Sequence, residues 1–470
     1  MIKKTRTDNR DCSSFRDPNG FVFYKDGRVY RQINKSYEKN FDLFNKSGLY
    51  QELTNNNLIL GYKTCLKNTG LSAVAYRVVE TETIPFISYP YEWCFSQLKD
   101  AALLTLLIQK KSLEHNLSLK DASAYNIQFL NGKPIHIDLL SYEEYVEGNP
   151  WIAYRQFCQH FLAPLLLMSY VDVRLSQLLR IYIDGIPLDL ASKLLPKTSF
   201  FNFPILSHIH LQAKNQLELG DLNKTDLTNN YPKKIKLSKY ALLAIVDNLE
   251  SVIKNLKLKK TKTEWGEYYS FTNYAKKSFE QKKDLVKKYI ETVKPKIVWD
   301  LGANTGEFSR ITGDKNILTV SFDVDYLAVE KNYLKVKENN ETRILPLILD
   351  LVNPTPAIGW LNQERKSIIN RGPCDLVMAL ALIHHLAISN NIPLEYIADF
   401  FSKIGRYLMI EFIPKEDSQM KKLLSRREDI FSKYDQLNFE KVFLNHFKII
   451  SSHKIINSER TLYLMKKIHD

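Results

Sequence analysis

After Trp265 the chain repeats one pattern. Short apolar runs at Ile297–Leu301, Ile317–Phe322, Arg343–Leu349, Asp375–Leu380 and Tyr407–Phe412 are separated by segments long enough for helices. Strands alternating with helices predict a parallel sheet covered on both faces, because parallel neighbours need long crossovers and those crossovers carry the helices. Phe447–Ser451 and Thr461–Met465 stand too close together for a crossover, so they predict an antiparallel pair closing one edge. Such sheets bind ligands outside the carboxyl ends of their strands, which makes the residues that end each run the first to inspect.

The first run ends in Asp300-Leu-Gly302-Ala-Asn304-Thr-Gly306, and a helix is expected from Glu307. Glycines at 302 and 306 allow a sharp strand-to-helix turn and a close approach of backbone to ligand. The second run leads to Asp323, the place for a carboxylate accepting from both hydroxyls of a ribose. The third leads to Asp350-Leu351, where a carboxylate would meet an adenine amino group and a leucine would cover the ring. A dinucleotide loop reads Gly-x-Gly-x-x-Gly and admits a pyrophosphate to a helix N-terminus. Here the middle position is Asn304 and an aspartate precedes the first glycine. A carboxylate beside the loop suits an ammonium and a sulfonium better than a diphosphate, which points to S-adenosylmethionine.

These residues, followed by Asp375-Leu-Val-Met-Ala-Leu-Ala-Leu-Ile-His384-His385-Leu, resemble the ordered motifs of the class I S-adenosylmethionine-dependent methyltransferases over about Trp265 to Lys467. The resemblance implies an α/β, Rossmann-like, seven-stranded methyltransferase sheet. It implies that Asp300 and the Gly302–Gly306 loop hold the methionine part, Asp323 the ribose, and Asp350 with Leu351 the adenine. Asn304 stands where a glycine is commoner. Methyl transfer needs alignment and exclusion of water rather than a nucleophilic residue. An acceptor hydroxyl would still need a base; His384 and His385, after the fourth strand, and Glu411, ending the fifth, are the candidates. Equally ordinary roles for the histidines are packing and capping a loop. Tyr268, Tyr269 and Tyr274 would form either a lid or part of a core.

The first part of the chain, to about Leu195, is dense in apolar and aromatic residues. Gly20–Tyr24 and Arg28–Ile33 flank Asp26-Gly27 and predict a β-hairpin. Helical spacing marks Gln97–His115, and Trp151–Ile183 reads as helix broken near Pro164. Between them, Asp121 and Asn126 precede Ile127–Leu130 and Pro134–Ile137, strands joined by Asn131-Gly132, and Asp138 ends the second strand. This segment resembles the catalytic loop and metal-binding aspartate of protein-kinase-like and aminoglycoside-phosphotransferase-like enzymes. The resemblance implies an α+β kinase-like domain with Asp121 as phosphotransfer base, Asn126 and Asp138 on magnesium, and Mg-ATP as a second cofactor. Leu119 stands in the usual histidine place, leucines follow Asp138, the hairpin has no Gly-x-Gly-x-x-Gly, and the nucleotide lysine is unidentified: Arg31 lies in a plausible strand but is not the expected residue.

Three segments follow: a kinase-like domain over 1–195, a helical, basic connector over 196–263 with a helix near Tyr240–Leu258, and a methyltransferase domain over 264–470. The whole chain also resembles bacterial methyltransferases grouped with a rhizobial nodulation-protein family, through Asp121–Asp138, Trp151–Phe161 and Glu411-Phe-Ile-Pro414. Kinase and methyltransferase domains also occur together in enzymes that cap bacterial O-antigen chains. The expected acceptor is a small molecule or a glycan. A net charge of +14 and the lysines at 254, 257, 259, 260 and 262 leave RNA as a less favoured partner. His208 and His210 lack an obvious third metal ligand. Five scattered cysteines form no Cys-x-x-Cys pair and fit a reducing cytoplasm. The longest apolar run, Phe161–Met168, is too short to span a membrane, and no secretory signal is expected.

Overall fold

The computed structural model describes residues 10–65, 73–214, 236–258, 276–425 and 428–469, so Tyr268, Tyr269, Tyr274 and most of the lysine run lie outside the described residues. The chain divides into two units: Met1–Lys260 with Ile358–Arg365, and Thr261–Ala357 with Lys366–Asp470.

In the first unit, β1 (Gly20–Lys25) and β2 (Arg28–Asn34) form the expected hairpin. Asp26 and Gly27 both take positive φ, the condition of a tight turn whose twist matches its strands. With β3 (Tyr62–Thr64) and β4 (Ala75–Thr81) they make an antiparallel sheet in the order β1-β2-β4-β3. Helices Glu38–Lys46 and Leu49–Asn55 lie between β2 and β3 in the chain and bury Phe41, Phe44, Leu49 and Leu53. The helix Phe95–Glu114 then leads to β5 (Leu117–Leu119), which pairs with β8 (Tyr142–Glu144). The Asn-Gly hairpin is β6 (Ile127–Leu130) and β7 (Lys133–His136), its turn residues again at positive φ. Pro164 stands within a continuous helical stretch from Tyr154 to Tyr170, just after the turn Cys158–Leu162, which is widened to a π-helix where the proline lacks an N–H to donate.

The connector does not stand apart. Its helix Lys239–Asn255 buries Leu242, Val246, Leu249 and Ile253 and packs along Phe95–Glu114. Lys110 pairs with Asp247 and Glu250, and Lys99 Nζ donates to the carbonyls of Lys254 (2.8 Å) and Leu256 (2.9 Å). The helix expected near Tyr240–Leu258 is present, and its apolar face packs within the first unit. The segment Ile358–Arg365, expected in the last domain, also belongs to the first unit. The Glu364 carboxylate, 1% exposed, accepts from Arg16 Nε (2.8 Å) and Nη2 (2.9 Å), a bidentate ion pair that a linear reading has no means to foresee.

The second unit is built on β9 (Ile297–Leu301), β10 (Leu318–Asp323), β11 (Ile344–Ile348), β12 (Cys374–Ala379), β13 (Gly405–Phe412), β14 (Phe447–Lys454) and β15 (Thr461–Lys467). Their order is β11-β10-β9-β12-β13-β15-β14, with β9 to β13 parallel and β15 antiparallel to both neighbours. Every residue of β11 is buried, as expected for a strand covered on both faces. The helix Lys276–Val293 lays Val286, Tyr289 and Ile290 against Val298, Leu376, Met378 and Met409. Strand order reverses between β9 and β12, and the crevice of such a sheet opens there, at the carboxyl ends.

Candidate active site

The loop after β9 depends on backbone conformations that side chains resist. Gly302 and Gly306 have φ of +73° and +79°, and a Cβ on Gly306 would stand 2.5 Å from Asn332 Oδ1. Asn304 also takes a positive φ, +49°, which asparagine tolerates better than most residues. Arg310, one turn into the following helix, donates through Nη1 to the carbonyls of Thr305 (2.7 Å) and Gly306 (3.0 Å) and to Asn332 Oδ1 (3.0 Å). Its other nitrogens hold Glu341 at 2.9 and 3.0 Å. This arginine clamps the loop, and the motif gave no sign of it.

A cavity of about 470 Å³ opens against the loop. Asp300, Gly302, Asn304, Asp323, Asp350 and Leu351 all line it, so the residues ending three adjacent strands meet around one space. Asp323 accepts the Asn304 N–H through Oδ2 (2.7 Å) and the Asp325 N–H through Oδ1 (2.9 Å), which fixes its plane. Burial pushes its carboxyl up to about 6. Asp300 accepts from Ser309 Oγ (2.6 Å), itself held by Ser321 Oγ (2.7 Å). Burial, opposed by that hydroxyl and reinforced by the Asp323 charge, pushes Asp300 up to about 7. Asp350 is exposed at the rim and accepts the Val352 N–H (2.9 Å). The arrangement combines a buried carboxylate, Asp300, and a half-buried one, Asp323, both of which gain from a cationic ligand, with apolar walls from Leu351, Leu380, Leu382 and Phe308.

The base candidates part company. His385 lines the cavity; burial, helped by Arg460, lowers its imidazole to about 4, so it is neutral at physiological pH. His384 does not line it, is buried, and has an Nδ1 without a partner among the described residues. Glu411 stands behind the wall, wholly buried and ion-paired with Lys282 at 2.6 Å. Lys282, on the helix before β9, does line the cavity, and sequence reasoning missed it because that helix carries many lysines.

In the first unit, Asn126 and Asp138 meet at the Ser141 hydroxyl, and Asp121 lies within reach of Asn126 and of the Asp138 charge. Asn126 Nδ2 donates to Ser141 Oγ (3.2 Å), and Ser141 Oγ donates to Asp138. Asp138 is also ion-paired with Arg31 and accepts the Leu140 N–H (3.3 Å). Burial would raise Asp138, but Arg31 and Ser141 outweigh it and hold the carboxyl below its ordinary value. Asp121, bonded by the Ser123 N–H (2.9 Å), is raised by burial and by the charge of Asp138. Among the described residues no group of three or more His, Cys, Asp or Glu could hold a metal. His208 is bonded to Tyr154 (2.6 Å) and Asn248 (2.8 Å), and His210 to Ser192 (2.7 Å) and Ser199 (2.9 Å), so both rings are engaged within the fold.

Strand order, the glycine turn after the first strand and the closing antiparallel pair make the second unit a Rossmann-like domain with a mixed seven-stranded sheet. No family model matches the chain. Nodulation protein NoeA of Rhizobium meliloti (strain 1021) is 33% identical over 463 residues, spanning 97% of this chain and 96% of that protein. The chain belongs to the NoeA family. Among solved structures it is similar to magnesium protoporphyrin IX methyltransferase (ChlM) of Synechocystis PCC 6803 with bound SAH, at 17% identity over 40% of this chain and 84% of that one, with a TM-score of 0.30. It is also similar to the bifunctional kinase-methyltransferase WbdD, at 16% identity over 46% of this chain and 45% of that one, with a TM-score of 0.30. Among the described residues no helix is long and apolar enough to cross a membrane.

Proposed function

We propose that this protein is an S-adenosylmethionine-dependent methyltransferase acting on a small-molecule or glycan acceptor in the cytoplasm. The observation that carries the reading is the meeting of Asp300, Asp323 and Asp350-Leu351 around one cavity at the point where strand order reverses. The residues fit the donor. Asp300, buried and raised, gains from an adjacent ammonium; Asp323, pinned by two N–H groups, offers its remaining lone pairs to two ribose hydroxyls; Asp350 and Leu351 offer an acceptor and an apolar face to adenine. Bound there, the donor supplies a methyl group already activated by a sulfonium, so the protein's part is orientation and exclusion of water. His385 is the proposed base for an acceptor hydroxyl because it lines the cavity, which His384 and Glu411 do not. Isothermal titration with S-adenosylmethionine tests the reading: micromolar binding is expected, and no binding would overturn it.

A second reading concerns the first unit, which we propose is a kinase-like α+β domain. The convergence of Asp121, Asn126 and Asp138 favours it. Mg-ATP fits this cleft less well than the donor fits the other, because Arg31, Ser141 and the Leu140 N–H already engage Asp138. Activity of the domain is tested by magnesium-dependent ATP turnover, which Asp138→Ala should abolish. RNA as acceptor has less support: it rests on net charge and the lysines at 254, 257, 259, 260 and 262, and RNA binding would have to fall steeply with salt.

A further inference from the structure

Glu411 has an environment that suits a different task from proton transfer. Its side chain is fully buried, and a single oxygen, Oε2, accepts from both Lys282 Nζ (2.6 Å) and the Ala381 N–H (2.8 Å). Those two partners come from distant stretches of the second unit, and both line the donor cavity, whereas Glu411 does not. Ala381 has a φ of +53°, a left-handed conformation that a residue with a Cβ resists. The bond to Glu411 holds this turn, which leads from β12 into the segment carrying His385.

Lys282 is 3% exposed, and its ammonium lies 4.8 Å from the centre of the Phe308 ring. Arg460 Nη1 stands 3.6 Å from Glu411 Oε1, and Arg460 Nε donates to Asp417 at 2.7 Å. Lys282 and Arg460 thus balance Glu411 and Asp417, and Asp300, which shares the wall with Lys282, is available to an incoming cation, while Asp323 accepts from two backbone N–H groups and Asp350 stands at the rim. An acid and an ammonium side by side in one wall are complementary to an α-amino acid. Its ammonium would face Asp300 and its carboxylate Lys282.

We propose that Glu411 is a positioning residue: through one carboxylate oxygen it fixes both Lys282, which receives the carboxylate of the donor's amino-acid end, and the Ala381 turn. This rests on the donor reading above. The test uses the full chain and two ligands, S-adenosylhomocysteine and 5′-methylthioadenosine, which share adenosine and thioether but differ in the amino-acid end. Lys282→Met should weaken S-adenosylhomocysteine about tenfold or more, the loss of one charge-assisted hydrogen bond, and leave methylthioadenosine within about twofold. Lys282→Arg, which keeps the charge, should restore most of that affinity. Glu411→Gln keeps an acceptor for Ala381 but removes the charge that holds Lys282, so it should show the same selective loss. If the substitutions leave S-adenosylhomocysteine unaffected, or weaken both ligands equally, the proposal is overturned. Should Glu411→Gln fail to fold, the Lys282 pair decides alone. A wild-type protein that binds neither ligand would overturn the donor reading and this proposal with it, whereas binding without selectivity overturns this proposal only.

Discussion

Replacing Asp323 with asparagine removes a charge while keeping the shape of the side chain, and its effect follows from the geometry. Each carboxylate oxygen accepts one backbone N–H, from Asn304 at 2.7 Å and from Asp325 at 2.9 Å, leaving further lone pairs for two ribose hydroxyls. In the amide one of those oxygens becomes an NH₂ group, so one backbone N–H faces a donor and one ribose contact is lost, while the other falls from charged to neutral. Hydrogen bonds to charged groups contribute about 1.5–3 kcal/mol and neutral ones about half as much, so the expected loss is about 2–4 kcal/mol, or about 30- to 1000-fold in affinity. Calorimetry with S-adenosylhomocysteine, done at a pH of about 8 where both buried carboxyls are ionised, measures it. Methylthioadenosine should weaken in parallel, since it retains the ribose. Melting of the unliganded variant should show no large loss, because removing a charge that burial disfavours offsets the backbone N–H left facing a donor. An Asp323→Asn protein that binds within threefold of the wild type, a margin of about 0.7 kcal/mol, would refute the assignment of this carboxylate to the ribose.

Gly306→Ala should lower the melting temperature strongly and impair donor binding, because the new Cβ would lie 2.5 Å from Asn332 Oδ1 and 2.6 Å from Arg310 Nη1 at a φ of +79°. Gly27→Ala, at a φ of +73° with nothing within 4 Å, should cost only the backbone strain of about 1 kcal/mol, so equal losses would contradict the crowding argument. Burial raises Asp300 from 3.8 to about 7, so over that window the folded chain holds a proton that the unfolded chain has released; this group's contribution makes stability fall as pH rises. Asp300→Asn should therefore melt with a flatter decline than the wild type between pH of about 4 and 7, and a parallel profile would count against it. Donor affinity has the opposite sign, rising with pH through the same range as the carboxyl ionises, and Asp300→Asn should flatten that rise. In the first unit, Arg16→Met should destabilise the fold measurably by leaving the Glu364 carboxylate buried without its bidentate partner, and unchanged thermal unfolding would speak against that pair.

Much of the second unit was legible because its signals are local. The run Ile297–Leu301 is a strand with those bounds, and the runs ending near Asp323, Leu349, Leu380 and Phe412 shifted by only a residue or two. A parallel strand covered on both faces must be apolar throughout, and a strand-to-helix turn needs glycine, so both features are written at the positions they serve. The site was legible as far as its motif carboxylates, which the sheet necessarily brings to one edge. Arg310 and Lys282 escaped because nothing nearby distinguishes them from surface cations. Their importance comes from Asn332 and Glu341 in one case and from Glu411 in the other. Glu411 was noticed for its place at a strand end, but its role could not be read there, since it depends on which groups fill the space behind the cavity wall.

The amino-acid sequence alone determined the periodicities, the turns and the order of acidic strand ends, all set by residues within a few positions of one another. Only the tertiary structure decided that the basic connector's helix closes the first unit, that Ile358–Arg365 belongs with Arg16 and Tyr125, and that Asp138 is held by Arg31. The physical reason is shared by all three. A buried charge or apolar face must find its complement wherever the folded chain supplies it, and that partner can lie hundreds of residues away with no mark on either sequence.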